Sequence, residues 1–237
     1  MSFFKRENNQ SGVNFWPSYV DLMTGLFIVM LVLFVISFLF FKKNLIGLSP
    51  VVRENQKSVI SSISISFNTT YVIVEDSLFQ ISIDPNPSHN IIVINEQHIQ
   101  RIRFSANVLF PQDEYKLQTN GIAVLNKVGK TLKEHLFQIR EIQIQGHADP
   151  DSTSKYPSNL HLASLRAVEV FNYLKNNVGI DPARFLMSAT SFGEYRPTVR
   201  LEADTTFTWA KIKLANTIKT EKDKNRRIEL LIFYKIP

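Results

Sequence analysis

Asp21 is the single charged residue in an otherwise apolar run from Pro17 to Phe41. The 22 residues from Val20 to Phe41, as a helix, span about 33 Å, enough to cross a hydrocarbon core of about 30 Å. Two chemistries fit a carboxylate there. Ser18, three residues earlier, makes a capping-box pattern with it, and an acid in a first helical turn is favoured by the helix dipole. Alternatively, a carboxylate inside a membrane segment faces a partner helix or a water path and marks ion movement. Ser18, Asp21, Thr24 and Gly25 share one side of the helix, a small and polar stripe suited to close helix contact. Spacing favours the second chemistry; the residues alone leave both open.

A second set of polar residues lies far down the chain. Gly146-His147-Ala148-Asp149 follows a strand pattern directly, and Asn159, Leu162 and Arg166 recur at i, i+3 and i+7 on the next predicted helix. Leu160, Ala163, Ala167, Val170 and Leu174 take a separate arc, predicted to face the core. Asn159 and Arg166 are therefore expected to border a groove. An internal salt bridge between Asp149 and Arg166 is the plainer alternative. His147, Asp149, Asp151 and His161 are too irregularly spaced for a metal site. No Gly-rich phosphate loop, nucleophile elbow or cysteine is present, so no enzyme, metal or cofactor is expected.

The elements that must position these residues follow from patterning. Residues 1–16 are a short polar tail; 17–41 form the transmembrane helix, too long for a signal-peptide core and without a small-residue cleavage site. Lys5 and Arg6 before the span and Lys42 and Lys43 after it give no clean orientation. Residues 42–62 are expected to form a linker. Period-two alternation begins at Ile63, Ile65 and Phe67, so 63–98 are expected to add strands on the membrane-proximal side. Residues 99–237 alternate strands with helices, one from Thr119 and one from about Ser158 to Val178, closed by Gly179. The expected fold class is α+β, one sheet with helices on one face. The formal charge of +6 gathers in 211–227, with seven basic residues against Glu221 and Asp223. That segment reads as a solvated loop and helix, with an anionic lipid or glycan contact as the alternative.

Two resemblances attach to these motifs. Trp16 followed by Ser18-Tyr19-Val20-Asp21-Leu22-Met23-Thr24 resembles the W…AYADFMT signature of flagellar stator B subunits, the MotB family, which implies that Asp21 is the ion-translocating carboxylate. Gly146-His147-Ala148-Asp149, Asn159 to Ala167, Ser191 to Pro197 and Asn225-Arg226-Arg227-Ile228-Glu229 are similar, in order, to four motifs of the OmpA-like peptidoglycan-binding domain. That likeness implies stem-peptide contacts at Asp149 and Arg166, with Asn159 and Leu162 beside them. A diaminopimelate zwitterion suits such a pair, its carboxylate on the arginine and its ammonium on the aspartate. The chain departs from the pattern at Ala163, in a lengthened loop 150–158 and in an insertion between Pro197 and Asn225.

The combined layout resembles a stator B subunit. The resemblance implies a homodimer inside a pentamer of a multi-span MotA-like A subunit, with the C-terminal domain periplasmic and the N-terminus cytoplasmic. Ion passage, proton or sodium, protonates and releases the aspartate while the A ring turns around the wall-anchored dimer. The short linker, the extra strands and the overall size look most like ZorB, the B subunit of the Zorya anti-phage defence system, which implies cytosolic effectors as further partners and no direct nucleic-acid binding. A flagellar stator subunit and a passive wall tether are the competing expectations.

Overall fold

The computed structural model describes residues 16–46, 50–201, 204 and 206–235; the tail at 1–15 and the centre of the expected linker, 47–49, lie outside the described residues. The chain divides into two units, residues 1–47 and 48–237.

The described residues of the first unit form the helix α1, Trp16–Ile46. Its segment Trp16–Phe40 is long and apolar enough to cross a membrane, and the helix continues past the expected end at Phe41. Ser18 is itself helical, so it is not a cap residue, and Asp21 lies beyond the first turn. Thr24 Oγ1 donates back to the Val20 carbonyl at 2.7 Å, which satisfies its hydroxyl within the helix. Of the two readings of Asp21, the capping box is not formed.

The described residues of the second unit build helices on a seven-stranded mixed sheet. Its strands are β1 Tyr71–Glu75, β2 Leu78–Ile81, β3 Ile91–Asn95, β4 Ile99–Ser105, β5 Ile139–His147, β6 Leu186–Gly193 and β7 Arg227–Tyr234. They lie in the order β1-β2-β3-β4-β7-β5-β6, with β5 and β6 parallel and the other neighbours antiparallel. The expected β extension is thus the continuation of the main sheet rather than a separate layer.

Residues 50–66 correct the expected linker and first strand. Pro50–Ser66 is a helix, α2. Val52, Gln56, Val59, Ile60 and Ile63 recur at helical spacing and are fully buried, whereas Ile65 is 71% exposed; a strand would have put Ile63 and Ile65 on the same face. The serine alternation mimics period two, but burying the helical stripe decides the outcome. Gln56 Nε2 donates to the carbonyls of Glu96 at 2.9 Å and Ile99 at 3.2 Å. Gln100 Nε2 donates to the Gln56 carbonyl at 2.9 Å, and the Tyr234 hydroxyl to Gln100 Oε1 at 2.7 Å. This buried chain of hydrogen bonds ties α2 to β4 and β7, although Gln56 Oε1 has no partner among the described residues.

Val108-Leu109-Phe110, expected as a strand piece, opens instead as the short helix α3, Ala106–Leu109. Helix α4, Thr119–Glu134, packs Val124, Leu125, Val128 and Leu132 inward. Its cap residue is Gln118, not Thr119, and Ile122 is exposed. Helix α5, Asn159–Tyr173, passes through a final wide turn to Gly179 at φ 77°, a left-handed stop that glycine adopts without strain. Two short helices, α6 Trp209–Leu214 and α7 Lys219–Asn225, occupy the insertion.

Candidate functional site

Asp149 stands just past the end of β5, where the Ala148 amide donates to the Gly193 carbonyl at 2.8 Å. A Cβ at Gly146 would overlap the Ala163 carbonyl oxygen, so glycine lets α5 lie directly on β5. Ser158 caps α5, accepting from the His161 amide at 3.1 Å. The next side chain, Asn159, donates from Nδ2 to the Asp149 carbonyl at 3.1 Å. One turn and two turns on, Leu162 and Arg166 follow on the same helical side.

Those three side chains correct the expected groove-edge placement. Asn159, Leu162 and Arg166 are all buried, and Leu160, expected in the core, is 43% exposed. Ala163, Ala167, Val170 and Leu174 are buried as expected, so the buried arc is wider than expected, because two loops cover the Asn159 side as well. Arg166 Nε donates to the Glu114 carbonyl at 2.8 Å, and its guanidinium lies 5.1 Å from the Phe110 ring centre. Loop 150–158 closes over this point through the Lys155–Glu114 ion pair and the edge of Tyr156 against Tyr115 at 6.1 Å. Burial pushes the pKa of the Arg166 guanidinium down to about 10, against the favourable charges of Asp113 and, more weakly, Asp149.

Asp149 and Arg166 share one electrostatic neighbourhood, yet among the described residues no direct hydrogen bond joins them. The cation on Asp149 is Arg226, whose Nε donates to Oδ2 at 3.0 Å. Arg226 also stands 4.0 Å from Asp151, which Lys222 Nζ contacts at 2.7 and 2.8 Å. Burial raises the Asp149 carboxyl above its ordinary range, although Arg226 opposes this. Arg226 was visible in the Asn225-Arg226-Arg227 motif, but no sequence spacing connects it with Asp149. The site thus offers one carboxylate between two guanidiniums, a donor set that suits a small zwitterion. Among the described residues no group of three His, Cys, Asp or Glu is placed to hold a metal ion.

A model of the OmpA family matches residues 109–207. A MotB-like protein of Desulfovibrio vulgaris superposes with a TM-score of 0.57 at 21% identity, covering 81% of this chain and 98% of that one. The second unit is an OmpA-like domain. The periplasmic domain of Helicobacter pylori MotB has the same fold, with a TM-score of 0.52 at 16% identity over 68% of this chain and 90% of that one. Motility protein B of Bacillus subtilis (strain 168) is 35% identical over 95 residues, 39% of this chain and 30% of that protein; the match spans under a third of that relative. None of these proteins is named as an enzyme. The OmpA-like domain therefore follows a single apolar helix, the arrangement expected from the motifs.

Proposed function

We propose that this chain is the B subunit of an ion-driven inner-membrane motor anchored to peptidoglycan. The observation that carries the reading is Asp21, a lone carboxylate within the apolar helix α1 and beyond its first turn, in a chain whose folded unit is an OmpA-like domain. In this reading two copies place their Asp21 residues inside a pentamer of a multi-span A subunit. Each Asp21 takes up and releases an ion, and Asp149 and Arg166, with Asn159 and Leu162 setting their positions, hold a peptidoglycan stem peptide. The N-terminus is cytoplasmic and the OmpA-like domain periplasmic.

Within that class, anti-phage defence of the Zorya type is the favoured role. Its support is the short interval between α1 and α2, residues 47–49. The added strands no longer argue for it, because the Desulfovibrio MotB-like protein matches a share of this chain too large for residues 99–237 alone. The likeness to Motility protein B favours a second reading, a motility stator.

A plaque assay in a host carrying the native gene neighbourhood separates these readings, comparing wild type with Asp21→Asn at matched membrane levels. Protection that is lost in the variant supports an ion-driven defence motor. Wild type without protection against a broad phage panel sinks the defence role, and swimming motility then tests the second reading. Equal protection by both proteins leaves a wall tether whose Asp21 carries no ions.

A further inference from the structure

The sheet of the OmpA-like domain has two unlike faces. On β4 and β7, Ile102, Phe104, Ile228 and Leu230 enter the core. Their alternates, Arg101, Arg103, Arg227 and Glu229, stand on the opposite face, where Arg103 pairs with Glu229 and Ser105 with Arg227 across the strands. Residues of the insertion cover this face, so its charges are buried: Arg101 is 6% exposed, Arg227 3% and Glu229 1%. Glu229 accepts from Arg101 at 2.7 Å, Arg103 at 2.8 Å and Arg227 at 2.7 Å. Burial by itself would raise the Glu229 carboxyl, but the arginines outweigh it and hold it well below the usual range. Burial, with Arg103 and Arg101 adding to it, pushes Arg227 down to about 10 against the pull of Glu229.

Two clefts, of about 560 and 320 Å³, open on this face and share Arg103, Thr198 and Arg227. Lys224 lines the first; Arg101, Arg196 and Arg200 line the second. Among the described residues, five guanidiniums and one ammonium line the two clefts with Glu96, Glu229 and Asp223. Arg103, at the junction, gives Nε to Glu229 and keeps a side chain 23% exposed. Among the described residues its two terminal nitrogens meet no protein acceptor. Half-buried donors without acceptors are costly unless a ligand or water completes them. Guanidinium forks beside a hydroxyl match a phosphate better than a single carboxylate.

We propose that these joined clefts bind a phosphate-bearing ligand, seated on Arg103 and Thr198 and reached by Arg200 and Lys224 from either side. A soluble phosphate and an anionic phospholipid headgroup share this chemistry. The full chain in maltoside micelles, titrated by calorimetry with inorganic pyrophosphate and separately with dioctanoyl phosphatidylglycerol, tests it. Wild type binds at least one probe; pyrophosphate binding identifies a soluble-phosphate site, and binding of the lipid alone a headgroup site. Arg103→Gln weakens binding about tenfold or more, Lys224→Ala about threefold or more, and Arg166→Ala leaves it unchanged. Lys224 is exposed, so its variant carries the test even if Arg103→Gln misfolds. No binding of either probe to wild type, or unchanged affinity in Lys224→Ala, overturns the proposal.

Discussion

Asp149 accepts from Arg226 Nε at 3.0 Å, although Arg166 is the arginine that its motif pairs with it. A stem-peptide site built here has two guanidiniums around one carboxylate. Arg226 uses only Oδ2 of Asp149, so a ligand ammonium can take the other oxygen while either arginine receives a carboxylate. Arg166→Ala and Arg226→Ala should each weaken cosedimentation with purified peptidoglycan by about 10- to 100-fold, the value of one charge-assisted hydrogen bond. Unchanged sedimentation of Arg166→Ala removes the pocket assignment.

Binding at this site should depend on pH through Asp149. Its folded pKa is raised above 3.8, first by burial, so the folded state holds this proton more tightly than the unfolded chain does. The group therefore favours folding at low pH, and that contribution is lost as pH rises from 3.8 through the folded value. A ligand ammonium needs the ionised form, so peptide affinity should fall as pH drops through the raised pKa. Titration of affinity against pH checks this, with Asp149→Asn expected to be weak and flat over the same range.

His147 predicts an opposite trend for stability. It is 1% exposed, its ring stacks on Phe192 at 5.3 Å, and neither ring nitrogen has a hydrogen-bond partner among the described residues. Burial, then the nearby Arg227, lowers its pKa well below 6.5, against the pull of Glu229. A base depressed by folding contributes stability above its unfolded pKa and loses it on acidification. Unfolding free energy should therefore fall by about 1.4 kcal/mol per pH unit below pH 6.5. Urea unfolding between pH 7 and 5 measures the slope, and His147→Phe should abolish it.

Ile63 and Ile65 distinguish helix from strand at the start of the second unit. Ile63 is fully buried and Ile65 is 71% exposed. Ile63→Ala should cost about 2–5 kcal/mol and Ile65→Ala under about 0.5 kcal/mol by denaturant unfolding. Similar losses at both positions would restore the strand reading.

Gly146→Ala should cost about 1–3 kcal/mol, because its methyl group meets the Ala163 carbonyl. The clash is with backbone, so adding Ala163→Gly should not restore the thermal midpoint. Rescue by that second change would mean that the contact lies with the side chain.

The sequence by itself determined what local chemistry dictates. An uninterrupted apolar run can only be a long helix, and Asp21 stands out in it by composition alone. Strand-like runs placed β1 to β7, helical spacing placed α4 and α5, and Gly179 ended the latter through its left-handed backbone. The motif residues Asp149, Asn159 and Arg166 were legible as types at fixed offsets. Tertiary structure decided what depends on partners distant in the chain. Residues 50–66 carry both a period-two and a helical pattern, and the buried polar contacts of Gln56 with β4 favour the helix. Asn159 and Arg166 could not be recognised as buried, because the loops that cover them come from residues 111–118 and 150–158. Arg226 meets Asp149 across 77 positions, and Arg101 meets Glu229 across 128. Arg101 and Glu229 are diagonal neighbours across the paired strands β4 and β7, and Asp149 and Arg226 lie just outside the ends of β5 and β7, which are neighbours in the sheet; burial leaves each charge needing the other, and spacing along the chain carries no trace of either.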